Sequence, residues 1–267
     1  MGEIAGLYYE VHGPADAPPV ILSAGLGGSG AYWSPNLEAL AEDHHVILYD
    51  HRGTGRSDRA LPDTVTVDDF ADDILALMDA LQIERAHLVG HAAGGIAGLA
   101  LALKAPTRLD RLVVVNGWIK ADPHFLRCFE ARLNLLRHAG VEAFLRAQPI
   151  FLYPAQWIST NDAALNAELP HQLAAFPGID TVEKRIAAVA AFDARGWIAG
   201  LRTPTMTLCA YDDMLVPYTC SLEFQVENPA IAHSGLEFGG HACNVTYPDD
   251  FNRIVLRWLA GQVPGEE

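Results

Sequence analysis

A chain of 267 residues, half of them hydrophobic and 19% charged, is long enough for one domain with a modest insertion and too apolar to be disordered. Its net charge of −15, without any dense Lys/Arg run, argues against nucleic-acid or anionic-membrane binding. The same field weakly repels an anionic substrate unless a local pocket reverses it. Four cysteines, Cys128, Cys209, Cys220 and Cys243, show no C-x-x-C pair or zinc-ligand rhythm and read as free thiols suited to a reducing cytosol. Met1–Gly6 lacks the basic start and apolar core of a signal peptide. No apolar run approaches the roughly 20 residues of a membrane span, so the expected location is the cytoplasm.

In chain order, Glu3–His12 reads as an edge strand or hairpin. Val20–Ala24, Val46–Tyr49, His87–Gly90 and Leu112–Asn116 are short, β-branched runs bounded by glycine or polar residues, the pattern of buried strands. Between them, Trp33, Leu37, Leu40 and Ala41 mark one helix face. Val67, Phe70, Ala71, Ile74, Leu77, Met78 and Leu81 mark another. Strands buried on both faces and separated by helices imply a parallel sheet with right-handed crossovers. From about Gly117 to Arg195 strand-like runs vanish. Ala, Leu and aromatic residues at helical spacing dominate there, punctuated by Pro149, Pro154, Pro170 and Pro177. Strand rhythm returns at Thr205–Tyr211 and about Ser234–Phe238. A last helix turns Phe251, Ile254, Val255, Trp258 and Leu259 inward. The expected architecture is α/β: a mostly parallel central sheet flanked by helices, its core formed by 1–117 and 199–267, with a helical cap insertion at 118–198.

The strongest motif is His87-Leu88-Val89-Gly90-His91-Ala92-Ala93-Gly94-Gly95, a strand running into a small-residue helix. A sharp strand-to-helix turn strains its central residue and brings neighbouring backbones close, so small residues are needed two before and two after it. Gly90 and Gly94 meet that need, and Ala92 takes the position where such an elbow carries its nucleophile. Alanine has none, so no covalent intermediate forms there. Leu22-Ser23-Ala24-Gly25-Leu26-Gly27-Gly28 follows the first buried strand; its backbone N–H at about Leu26, with that of Ala93, forms a plausible oxyanion hole. Asp212 and Asp213 follow one late strand and His241 follows the next. Either aspartate could orient the imidazole, which would then move protons.

These segments resemble the α/β-hydrolase superfamily across essentially the whole chain. Asp50-His51-Arg52-Gly53-Thr54-Gly55-Arg56-Ser57 is similar to its D-x-R-G-x-G-x-S turn, read as architectural. The superfamily orders its triad as nucleophile, acid, histidine, which is the order of Ala92, Asp213 and His241. Its D-x-x-V-P spacing favours Asp213. Asn116-Gly117-Trp118, Arg127-Cys128-Phe129, Gln148-Pro149-Ile150-Phe151-Leu152-Tyr153-Pro154 and Gly239-Gly240-His241-Ala242-Cys243-Asn244-Val245-Thr246 look like the RutD family of the bacterial Rut pathway for uracil degradation. That resemblance implies that alanine in the elbow is native. It also implies hydrolysis of a small carbon–nitrogen compound, carbamate or 3-aminoacrylate, by a His–Asp pair without serine.

His91, Asn116 and Trp118 are candidate pocket residues, each with a plain packing alternative. Cys243 is disfavoured as a substitute nucleophile, and Phe151, Tyr153 and Trp157 read as cap core. No metal is expected: His44 and His45 would point in opposite directions on a strand. No dinucleotide fingerprint is present, so no cofactor is expected. The expected partner is a small-molecule substrate, with no nucleic acid and no membrane; oligomeric state is not legible. Three alternatives stay open: a ligand- or partner-binding protein without catalysis, an esterase whose elbow serine was replaced by Ala92, and a cofactor-free oxygenase on the same fold.

Overall fold

The computed structural model describes residues 1–264. Its centre is an eight-stranded sheet: β1 (Gly2–Ile4), β2 (Leu7–His12), β3 (Pro19–Ser23), β4 (His45–Tyr49), β5 (Ala86–His91), β6 (Leu109–Val115), β7 (Thr205–Ala210) and β8 (Ala232–Leu236). The spatial order is β1-β2-β4-β3-β5-β6-β7-β8. β1 and β2 form an antiparallel hairpin and β2 pairs antiparallel with β4, whereas β4 through β8 pair in parallel. The hairpin turns at Ala5 and Gly6, both at positive φ (53° and 76°), as a two-residue turn matched to strand twist requires.

Alternation along the strands sorts the core into two layers. Val20, Leu22, Val46, Leu48, Val89, Val113, Val115, Met206 and Leu208 face α1 (Ser34–Ala41) and α10 (Pro248–Leu259). Ile21, Ile47, Leu88, Leu112 and Val114 face α2 (Val67–Ala80) and α3 (Ala93–Lys104). α2 starts with a reciprocal cap. Asp69 N–H donates to Thr66 Oγ1 (3.3 Å) and Thr66 N–H donates to the Asp69 carboxylate (2.7 Å).

Between β6 and β7 the chain is helical: α4 (Pro123–His138), α5 (Val141–Leu152), α6 (Ala155–Ala175) and α7 (Ile179–Ala191). Its two connections to the sheet run side by side, bridging at Lys120 and Asp193 and bonding Ala194 N–H to Ile119 O (2.8 Å). Two of the prolines do not punctuate it. Pro149 lies in the last turn of α5 and Pro170 lies inside α6, while Pro154 and Pro177 flank α6. After β7 come α8 (Tyr218–Glu227), β8, the short α9 (Cys243–Thr246) and α10.

The expected strand at Ser234–Phe238 sits two residues earlier, at Ala232–Leu236. Its register is fixed by β7, with Ala232 opposite Met206 and Leu236 opposite Ala210. Ala-His-Ser-Gly-Leu is an edge strand with little apolar signal of its own, so pairing rather than composition sets its limits.

Candidate active site

The site forms where β3, β5, β6, β7 and β8 release their loops at one edge of the sheet. At the end of β5, Ala92 sits at φ 46°, ψ −107°, in backbone territory that side chains rarely adopt. Glycine is required on either side of it. A Cβ on Gly90 would strike the carbonyl of Gly94, and one on Gly94 would strike the carbonyls of Ser23 and Ala24. The strain thus comes from pressing α3 against two strand ends, and it aims position 92 out of the sheet.

Asp213 and His241 meet across the β7 and β8 loops. His241 Nδ1 lies 2.8 Å from Asp213 Oδ2, with both side chains almost wholly buried. The other carboxylate oxygen of Asp213 accepts the N–H groups of Leu215 (2.7 Å) and Val216 (3.0 Å). This fully engaged carboxylate fixes the proton of His241 on Nδ1 and leaves Nε2 as the base. Asp212 acts elsewhere. Its Oδ1 accepts Gly240 N–H (2.8 Å) and ties the β8 loop to the β7 loop. Asp213 is therefore the orienting carboxylate.

The two expected oxyanion donors belong to the start of α3 and to the loop after β3. Ala93 is the first residue of α3, and first-turn N–H groups have no acceptor within their helix. The loop after β3 closes a turn by Gly28 N–H to Gly25 O (3.0 Å). Leu26 is the second residue of that turn, whose N–H takes no part in the turn's own bond. The Asp50–Ser57 loop supports this one from behind. His51 N–H donates to Gly28 O (2.7 Å), and Asp50 accepts Gly30 N–H (2.8 Å) and both Arg56 N–H (2.9 Å) and its Nε–H (2.9 Å).

Comparison with known proteins shows the fold and the family. The α/β-hydrolase fold family matches residues 18–230. A protein of Caulobacter sp. strain K31, provisionally named carbamate hydrolase RutD, is 52% identical over 98% of each chain. A like-named protein of Rhizobium rhizogenes is 48% identical over 95% of this chain and 97% of its own. The chain belongs to the α/β-hydrolase family, in its RutD branch. Among solved structures, a hydrolase from Pseudomonas aeruginosa PA01 superposes with a TM-score of 0.86 at 27% identity, covering 96% of this chain and 94% of that one. An enol-lactonase from Burkholderia xenovorans LB400 shares the fold, with a TM-score of 0.86 at 24% identity, covering 96% and 98%.

Of the candidate pocket residues in this α/β-hydrolase, His91 and Asn116 are occupied beneath the site. His91 Nε2 lies 2.7 Å from the carbonyl oxygen of His241, and Asn116 Nδ2–H donates to the same oxygen at 2.6 Å. Burial and the neighbouring His241 hold the His91 imidazole well below its ordinary pKa, so it is neutral and donates from Nε2. Both side chains hold the backbone of His241, which makes them positioning residues. Asn116 sits at φ 48°, a conformation asparagine tolerates better than most residues. Trp118 is buried, its ring 4.5 Å from that of Phe125, and its indole N–H has no partner among the described residues. Cys243 is fully buried and its thiol pKa is driven up by burial and by Asp213, which removes it as a nucleophile. Tyr153 and Trp157 stack at 4.4 Å.

Two cap arginines are not evident from the sequence as site residues. Arg185 on α7 donates to Leu26 O (3.1 Å), Arg52 O (3.3 Å) and His51 Nδ1 (2.9 Å). It clamps the oxyanion loop from the cap side. Burial and the Arg185 charge hold His51 neutral, and its Nε2 reaches Ser23 Oγ (3.2 Å), which in turn meets Tyr49 OH (2.7 Å). Arg132 on α4 is 4% exposed and, among the described residues, makes only one hydrogen bond, from Nη2 to Gln148 Oε1 (3.3 Å). The signal for both is a basic residue on an inward helix face: Phe125, Cys128, Phe129, Arg132, Leu136 and Val182, Arg185, Ile186, Val189.

Proposed function

We propose that this chain hydrolyses a small carbon–nitrogen compound of the carbamate or 3-aminoacrylate class in the cytoplasmic breakdown of uracil, by proton transfer without a seryl intermediate. The observation that carries this reading is the His241–Asp213 pair at 2.8 Å beside an elbow whose central residue is Ala92. A pure binding protein has no evident use for a buried, oriented proton relay. An acyl-transfer enzyme needs a nucleophile that alanine lacks. The names of the RutD relatives support the carbamate class.

In 3-aminoacrylate, water adds to the carbon bearing nitrogen while a proton is delivered to the neighbouring carbon; loss of ammonia then leaves malonic semialdehyde. In carbamate, a proton delivered to nitrogen breaks the carbon–nitrogen bond and releases ammonia and carbon dioxide. For the enamine, His241 Nε2 accepts a proton from the attacking water and returns it to the substrate; for carbamate, it passes to nitrogen a proton taken up from solvent, and no water is consumed. Asp213 stabilises the imidazolium between those events, and in the enamine reaction the amides of Leu26 and Ala93 face the oxygen of the added water as it gathers negative charge. Such general acid–base help is worth about 10²–10⁴-fold, which suits reactions that also run unaided.

Ammonia release is followed with 3-aminoacrylate generated in situ and, separately, with carbamate. The wild type is expected to exceed the spontaneous rate with one of them, and His241→Ala to return it to that rate. Equal rates for both proteins would overturn the mechanism.

A further inference from the structure

The structure assigns Arg132, walled by Phe129, Phe144 and Phe151 and touched by Gln148, as the receptor for the carboxylate of a small organic acid. The guanidinium lies 5.0, 5.2 and 5.5 Å from the three ring centroids. Its Nε–H is buried and has no partner among the described residues. Among the described residues it makes no ion pair, and its single hydrogen bond is long and goes to a neutral amide. Burial depresses its pKa to about 10, so the cation persists at neutral pH. A buried charge in this condition is costly unless a counter-charge arrives. A carboxylate is the planar, two-oxygen partner that a guanidinium fork accepts.

Arg185 shows the contrast. It is equally buried and also lacks a carboxylate, but its Nε and both terminal nitrogens each reach an acceptor. That arginine is complete as a clamp, and Arg132 is not.

The helices around Arg132 reach the loops that carry the dyad. α4 is pinned to the catalytic loop by His124 Nε2 to Met214 O (2.6 Å). Arg132 follows Cys128 by one turn, and helical side chains lean back toward the preceding turn. The Cys128 thiol accordingly feels both Arg132 and Asp213. α5, which supplies Phe144, Gln148 and Phe151, ends where Leu152 O accepts Ala242 N–H (2.9 Å), beside His241. Both helices around Arg132 thus touch a loop that carries one member of the dyad.

Arg132 and Asp213 do not pair, so the guanidinium stands more than 4.0 Å from that carboxylate. An acid whose carboxylate sits on Arg132 therefore needs a short carbon chain to bring a second carbon to His241, and the phenyl walls suit such a chain. Of the two proposed substrates, this favours the three-carbon enamine acid over carbamate. That last step rests on the proposed function, whereas the anion site itself does not.

The test uses unreactive probes and the full-length protein: propionate, its neutral isostere propionamide, and bicarbonate standing for the carboxyl group of carbamate, each titrated by ligand-observed NMR. Propionate is expected to bind saturably and at least tenfold more tightly than propionamide or bicarbonate. Arg132→Met is expected to lose at least tenfold in propionate affinity, and Arg132→Lys to recover part of it. If propionate and propionamide bind alike, the receptor is wrong; this comparison needs no variant to fold. Unchanged propionate affinity in a folded Arg132→Met also overturns it, and tighter binding of bicarbonate than of propionate overturns the assignment to an organic acid. A chain that binds propionate through Arg132 yet accelerates neither reaction keeps the receptor and loses the proposed function. Turnover of 3-aminoacrylate whose KM is the same in Arg132→Met would do the reverse.

Discussion

On the sheet side of the site, the groups at the reacting centre are held by backbone. Asp213 takes two amides of its own loop, and the carbonyl of His241 accepts His91 and Asn116. On the cap side the polar groups are side chains on helices. One of them, Arg185, is saturated, while Arg132 is left with an unpartnered buried Nε–H. The Asp213 carboxylate is fully engaged without ligand, whereas the Arg132 guanidinium is not. On the proposed function, chemistry falls to the strand loops and selection of substrate to the helices.

The sharpest way to break that comparison is to treat the two arginines alike. Arg185→Met strands a carbonyl at Leu26, another at Arg52 and a buried His51 nitrogen, and is expected to lose about 3–5 kcal/mol in urea unfolding. A loss under about 1 kcal/mol would show that the clamp is not structural. Next is Asp213→Asn, which keeps the shape but not the charge that stabilises the imidazolium. Turnover is expected to fall about 10²-fold, equivalent to about 2.7 kcal/mol, with little change in KM. An effect confined to KM would move Asp213 from chemistry to binding.

The sheet side and its supports also predict a pH response. Burial holds His51 and His91 well below their ordinary pKa and His87 down at about 4. An unfolded chain takes up protons on these rings as pH falls below about 6.5, and the folded chain does not. Their contribution is therefore full above pH 6.5 and is lost toward pH 4. Stability is expected to drop by on the order of 2 kcal/mol between pH 6.5 and 5, read from urea midpoints; a flat or rising profile would contradict neutral burial. Arg132→Met should cost the least, within about 1 kcal/mol, because apolar replacement of an unpaired buried cation is often neutral.

Most of the site's sheet side was legible because its positions obey backbone rules. Gly90 and Gly94 bracket the elbow for a steric reason, and the order of Ala92, Asp213 and His241 was legible through the resemblance to the superfamily. What the sequence left open was settled by contacts between distant segments. Asp212 and Asp213 are alike in sequence, but only one reaches His241 while the other caps Gly240. His91 and Asn116 looked like pocket residues because they follow strand ends, and their hydrogen bonds are instead to the main chain of His241. The cap was legible as helix and opaque as chemistry. A basic residue on an apolar helix face is ambiguous until the neighbouring helix shows whether its nitrogens are matched.

The grip of Arg185 on Leu26 bears on how such enzymes can be recombined. A helical insertion between two strands resembles a module that could be cut at its paired stems and moved to another hydrolase. Here the insertion carries one end of a chain of contacts that runs through His51 and Ser23 to Tyr49, on two strands and a loop well outside it. A transplanted cap would arrive with a buried cation and no histidine to receive it, and the host's own loop would lose nothing it had evolved to need. A transplant of this insertion would therefore need the loop after β4 to move with it.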